Sequence, residues 1–108
     1  MKYVFDLDGT LCSNTDGLYK NAKPMLERIG VVNGLYDDGN EIIILTARGM
    51  GRHNNNSKKA YDEFHHLTEK QLESWNVKYH ELFLGKPSGD IYVDDKGEKD
   101  EDFFNSRN

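Results

Sequence analysis

Asp6 and Asp8 stand two residues apart, and in an extended chain that spacing sends both carboxylates off one face. Two carboxylates forced together repel each other, and folding alone does not ask for that. A divalent cation relieves the repulsion. An aspartate at a strand end can also attack phosphorus and form an aspartyl-phosphate. A lone Asp-x-Asp-Gly has a plainer reading, a strand followed by a turn in which Asp8 bonds its own backbone. Further along come Thr46 and Arg48, then Lys86, then Asp94 and Asp95. Carboxylate oxygens suit Mg²⁺, which keeps waters and takes few protein ligands plus a phosphate. Lysine and arginine suit the remaining phosphate charge.

Each of these residues follows a segment that reads as a strand. Tyr3-Val4-Phe5 is a short apolar run ahead of Asp6, and Gly9 permits a turn after Asp8. Glu41 to Leu45 holds consecutive branched apolar residues, as in a strand covered on both faces, and ends at Thr46. His80 to Leu84 is a third strand before Gly85-Lys86-Pro87, and Asp90 to Val93 a fourth before Asp94-Asp95. Between them lie helices. One starts at Pro24 and stops at Asp37-Asp38-Gly39-Asn40. A short one covers Lys59 to His66, and a capping box with Thr68 as N-cap and Gln71 three residues on opens another, running to Trp75. An acidic tail anchored by Phe103 and Phe104 forms a last short helix that frays at Asn108.

This alternation predicts right-handed crossovers and a mostly parallel sheet. Parallel strands put their C-terminal ends on one edge, where open α/β sheets bind ligands. The expectation is therefore a single small Rossmann-like α/β domain over residues 1–108, with helices on both faces and the polar clusters meeting in one crevice. The weakest element is the third strand, or its direction, because few residues join it to the fourth.

The chain has 108 residues and a net charge of −5, which argues against a nucleic-acid partner. Cys12 is its one cysteine, so no intrachain disulfide forms. No apolar run reaches membrane-spanning length and no signal peptide precedes the first strand, so the expected location is cytoplasmic, without a membrane partner. His65 and His66 lack metal-ligand spacing, and Cys12 reads as a packing residue.

Taken together, these motifs resemble the haloacid dehalogenase-like phosphohydrolase superfamily over nearly the whole chain. Phe5-Asp6-Leu7-Asp8-Gly9-Thr10-Leu11 matches its first signature, and Leu45-Thr46-Ala47-Arg48 is similar to the second. Gly85-Lys86-Pro87 and Tyr92-Val93-Asp94-Asp95-Lys96 resemble the third and fourth. More narrowly, the chain looks like small capless hydrolases linked to bacterial surface-polysaccharide synthesis. The resemblance implies Asp6 as nucleophile and Asp8 as general acid and base, with Thr46 and Lys86 holding phosphoryl oxygens. It implies Mg²⁺ bound by Asp6, by the backbone carbonyl of Asp8 and by Asp94, with Asp95 orienting the site or binding a water on the metal. Backbone N–H groups of Leu7 and Ala47 would complete a phosphate cradle, and Arg48 would contact substrate or lie at the surface.

No cap domain fits in the chain, so the site should be open, to a bulky substrate or to a partner subunit acting as a lid in a homo-oligomer. The activity this implies is a Mg²⁺-dependent phosphomonoesterase acting on a sugar phosphate or similar small metabolite. Two alternatives stand beside it. One is a phosphatase of nucleotides or polynucleotide ends. The other is a phosphate- or Mg²⁺-binding or receiver-like module without turnover.

Overall fold

The strand at the heart of the fold is Glu41–Thr46, here β2, whose Ile42, Ile44 and Thr46 are buried. β1 (Lys2–Phe5) pairs with it on one side and β3 (Glu81–Leu84) on the other, both in parallel. The order β1-β2-β3 is therefore also the order in sequence. The computed structural model describes residues 1–107, and the fraying expected at Asn108 lies outside them. The parallel third strand settles the direction that sequence left weakest.

Helix α1 (Leu26–Asp37) joins β1 to β2, and helix α2 (Ser57–Ser74) joins β2 to β3. Gly39, at φ +92°, turns the chain from α1 toward β2. Two right-handed crossovers made in the same direction across a sheet put both helices on one face. Side-chain burial agrees. Tyr3 and Phe5 share a face with Ile42 and Ile44 by register, and this face meets Ile29 and Val32 of α1 and Leu72 of α2 in one core. Helix α3 (Asp100–Asn105) adds Phe103 and Phe104 to the same side, against Tyr3 and Phe5.

The single small α/β domain is as expected, but helices on both faces are not found. Val4, Ile43, Leu45 and Phe83 point to the opposite face by register, and no helix covers them. Val4 is 56% exposed and Phe83 48%.

Two further expectations are corrected. The helices expected over Lys59 to His66 and from Thr68 are one continuous helix, α2, because nothing between His66 and Thr68 breaks it. Its N-cap is Asn56, whose side chain accepts from the N–H of Lys59. Thr68 is buried in mid-helix instead of capping it. The fourth strand is absent as well. Residues 90–93 pair with no strand, Asp90 sits at a bend, and Ile91 and Val93 are 82% and 94% exposed. No described helix is long and apolar enough to cross a membrane.

Candidate active site at the C-terminal edge of the sheet

The C-terminal ends of the three strands surround an open cavity of about 580 Å³. Its lining includes Asp6, Asp8, Thr46, Ala47, Arg48 and Lys86, so one crevice gathers residues from three separate motifs. Tyr19, Arg52 and Tyr92 complete much of the remaining wall.

The loop after β1 sets the two aspartates. The carbonyl of Leu7 accepts from the N–H groups of Thr10 and Leu11, at 3.0 and 2.8 Å, which curls the chain sharply. Gly9 sits in that curl at φ +84°, where a side chain is strained. Asp6 remains accessible. The Thr10 hydroxyl donates to its Oδ2 at 3.2 Å, and Lys86 Nζ lies 3.7 Å from its Oδ1.

Asp8 is held differently. Arg48 Nε donates to Oδ2 at 2.9 Å and Nη2 donates to Oδ1 at 3.0 Å, a two-pronged clamp. Arg48 is only 1% exposed, which corrects the alternative that it lies at the surface, and it still lines the cavity. Its Nη1 donates to Thr68 Oγ1 at 3.1 Å and to Gln71 Oε1, and its guanidinium lies over the Tyr19 ring. Thus every side of the buried cation has a partner, as burial of a charge requires. Thr68 and Gln71, read from sequence as a capping box, are instead the socket for this arginine. Tyr19 also accepts at its hydroxyl from the Gly49 N–H, at 3.0 Å, and so fixes the loop after β2.

Thr46 is buried at the end of β2, and its hydroxyl accepts from the Arg48 N–H at 3.2 Å. Its carbonyl accepts from the N–H groups of Gly85 and Lys86, which ties the third motif to the second. Lys86 Nζ lies 4.4 Å from the Tyr92 ring centroid. Leu7 is fully buried and does not line the cavity, whereas Ala47 does.

Cys12 is buried below Asp8, and its thiol donates to Asp8 Oδ1 at 3.4 Å. Burial, with the Asp8 charge adding to it, pushes the thiol pKa up to about 12. The group is an inert packing residue, as its place in the sequence suggested.

Asp94 and Asp95 are not brought to the cavity. They sit exposed on an arm, residues 88–99, whose Ser88, Gly89 and Tyr92 still line the cavity and which rejoins the domain at α3. The Lys96 N–H donates to Asp94 Oδ1 at 3.0 Å and, with Asp95 beside it, holds that carboxyl below its ordinary range. Among the described residues no cluster of three or more His, Cys, Asp or Glu side chains could hold a metal. Of the three carboxylates that line the cavity, Asp8 has both oxygens engaged by Arg48, which leaves Asp6 and Asp16. Of the expected metal ligands, the cavity holds Asp6 and Asp8 and not Asp94 or Asp95.

Fold and site together define a small parallel α/β domain with a carboxylate-lined crevice at the strand ends. A crystal structure of a structural genomics target from Vibrio cholerae is similar to this chain at 31% identity, with a TM-score of 0.87, over 95% of this chain and 86% of that one. The chain belongs to the same family as that protein. No family model matches the chain, and no curated protein does either.

Proposed function

We propose that the protein is a phosphomonoesterase that works through an aspartyl-phosphate on Asp6, on a sugar phosphate or similar small metabolite. The observation that carries this reading is the contrast between the two aspartates. Asp6 is open to the cavity with Lys86 beside it, whereas Asp8 is locked by Arg48. A phosphoryl group placed over Asp6 would have the Lys86 ammonium and the Thr46-Ala47 turn at its oxygens. Attack by an Asp6 oxygen forms the new P–O bond and breaks the bond to the leaving alkoxide, which takes up a proton. Water then attacks the phosphorus, gives up a proton and frees Asp6.

Asp8 is the carboxyl group placed to give and take those protons. In this structure both its oxygens accept from Arg48, so proton transfer requires the side chain to turn out of the clamp toward Asp6. Mg²⁺ belongs to the proposal as the cation that would neutralise phosphate charge beside Asp6.

The test is phosphate release from sugar phosphates, nucleotides and an aryl phosphate, with Mg²⁺, with chelator and with Asp6→Asn. Release that Asp6→Asn abolishes supports the reading, and the panel separates metabolite from nucleotide. Full activity in Asp6→Asn would sink it. The engaged state of Asp8 favours one second reading, a receiver-like module. Its signature would be protein phosphorylated on Asp6 that accumulates without releasing phosphate.

A further inference from the structure

The arm poses a physical problem. Residues 90–93 form no strand, make no backbone hydrogen bond to any described residue, and expose Ile91 and Val93, while the side chain of Tyr92 between them folds back on the site, its hydroxyl donating to the Pro87 carbonyl at 2.6 Å. Unpaired backbone beside apolar side chains is the form of a strand that lacks a sheet. The sheet has the matching vacancy. β1 lies at one edge, so one side of its backbone has no strand partner, and Val4 beside that edge is exposed.

The arm cannot fill this edge within its own chain in the direction of the other strands. Six residues, Gly85 to Asp90, separate β3 from Ile91. They would have to pass β2 and β1, roughly 14 Å at the usual strand spacing, and also return to the opposite end of the sheet. Parallel crossovers take about a dozen residues or more. A reversed strand is within reach of the tether, since five residues between Asp94 and Asp100 span more than the roughly 13 Å of a four-residue strand, but it would carry Asp94 and Asp95 to the far end of β1, away from the crevice. Asp100 is fixed beside the site, where Arg28 holds it at 2.7 Å and also donates to the Thr10 carbonyl.

We propose that two copies of the chain exchange arms, with residues 90–93 of each adding to the free edge of β1 in the other, parallel to it. The occupant is a second copy because the complementary strand is this chain's own arm, tethered too closely to serve itself in the parallel direction. Running parallel, the added strand ends where β1 ends. Asp94 and Asp95 of one copy then reach the crevice of the other, beside its Asp6. This also accounts for the missing carboxylates, since each site is complete only in the pair. The pairing stands on the sheet edge and the tether; its part in catalysis rests on the phosphatase reading.

Sedimentation equilibrium tests the pairing without any assay of activity. The wild-type chain is expected at twice its 12.4 kDa mass. Ile91→Asp with Val93→Asp is expected at the single-chain mass with an unchanged circular dichroism spectrum, because both side chains are exposed within one chain. A monomeric wild type, or a double variant still dimeric, overturns the proposal.

Site sharing is tested by co-expressing Asp6→Asn with a chain carrying Asp94→Asn and Asp95→Asn, each under its own tag. Isolated mixed dimers should release phosphate where neither variant alone does, because one of their two sites then joins an intact Asp6 to an intact arm. Full activity of the arm variant alone, or no recovery in mixed dimers of an enzyme active as wild type, overturns the sharing. An inactive but dimeric wild type counts against the phosphatase reading and leaves the sedimentation result to decide the exchange.

Discussion

Arg48 and Asp8 meet through two parallel hydrogen bonds, 2.9 and 3.0 Å long, with the guanidinium wholly shielded from solvent. The pair joins the end of β2 to the loop that follows β1. It therefore fixes the mouth of the crevice as well as the core beneath it.

Removing Arg48 should leave Asp8, which is largely shielded at 17% exposure, without its compensating charge. Arg48→Met is expected to cost about 3–5 kcal/mol, read from urea unfolding. Arg48→Lys keeps the charge but loses the two-pronged geometry, so it should recover only part of that stability. A variant as stable as wild type would show that the clamp is not structural.

Gly49→Ala should disturb the same loop from the other side. Gly49 has φ +80°, and an added Cβ would lie 2.7 Å from Phe64 Cδ2. The left-handed conformation alone costs about 1–2 kcal/mol, and the aromatic ring must also move. The expected result is a lower urea midpoint together with weakened phosphate release. An unchanged midpoint would mean that the ring yields freely.

Lys86→Gln should act on chemistry more than on folding. Its ammonium lies near Asp6 and over the exposed face of Tyr92, so little packing depends on it. A loss of roughly 10²–10³-fold in kcat is expected for one electrostatic contact to a transferring phosphoryl group, with the unfolding midpoint nearly unchanged. Equal loss of stability would point to a structural role.

The buried thiol gives a pH dependence. Cys12 has its pKa raised from 9.0 to about 12 in the folded chain. Between those values the unfolded chain releases a proton that the native chain keeps. Native stability should then fall as pH rises above 9, by about 1.4 kcal/mol per pH unit. Urea midpoints taken at pH 8 and pH 10 measure the fall. Cys12→Ala should remove the portion due to this group, and an identical slope in that variant would assign the effect elsewhere.

Local pattern made β1, β2 and β3 legible, because apolar runs ending in turn residues survive in almost any context. It also put Asp6, Asp8, Thr46, Ala47, Arg48 and Lys86 at one sheet edge, where the structure has them. It misread residues 90–93, whose Ile-Tyr-Val run has strand character, because pairing depends on tether length and on who occupies the neighbouring edge. It misread Thr68 for a related reason. A threonine followed three residues on by glutamine suits a helix start and equally suits a socket for an arginine twenty residues earlier. Nothing near Arg48 in sequence announces those partners, since Asp8, Tyr19, Thr68 and Gln71 converge on it from other elements. Tyr19 was missed altogether, and its one signal was an aromatic residue in an otherwise polar loop.

The aromatic cluster of Tyr3, Phe5, Phe103 and Phe104 has a consequence for how the chain is made. A ribosome delivers Tyr3 and Phe5 ahead of Phe103 and Phe104, which follow every other strand and helix described here. Sequential pairing lets the sheet grow outward from β1 as synthesis proceeds, and α1 and α2 cover part of its inner face, yet the aromatic side chains of β1 lack their Phe103 and Phe104 partners until α3 emerges. The nascent chain thus carries a sticky face through most of its translation, the interval in which a chaperone has something to hold.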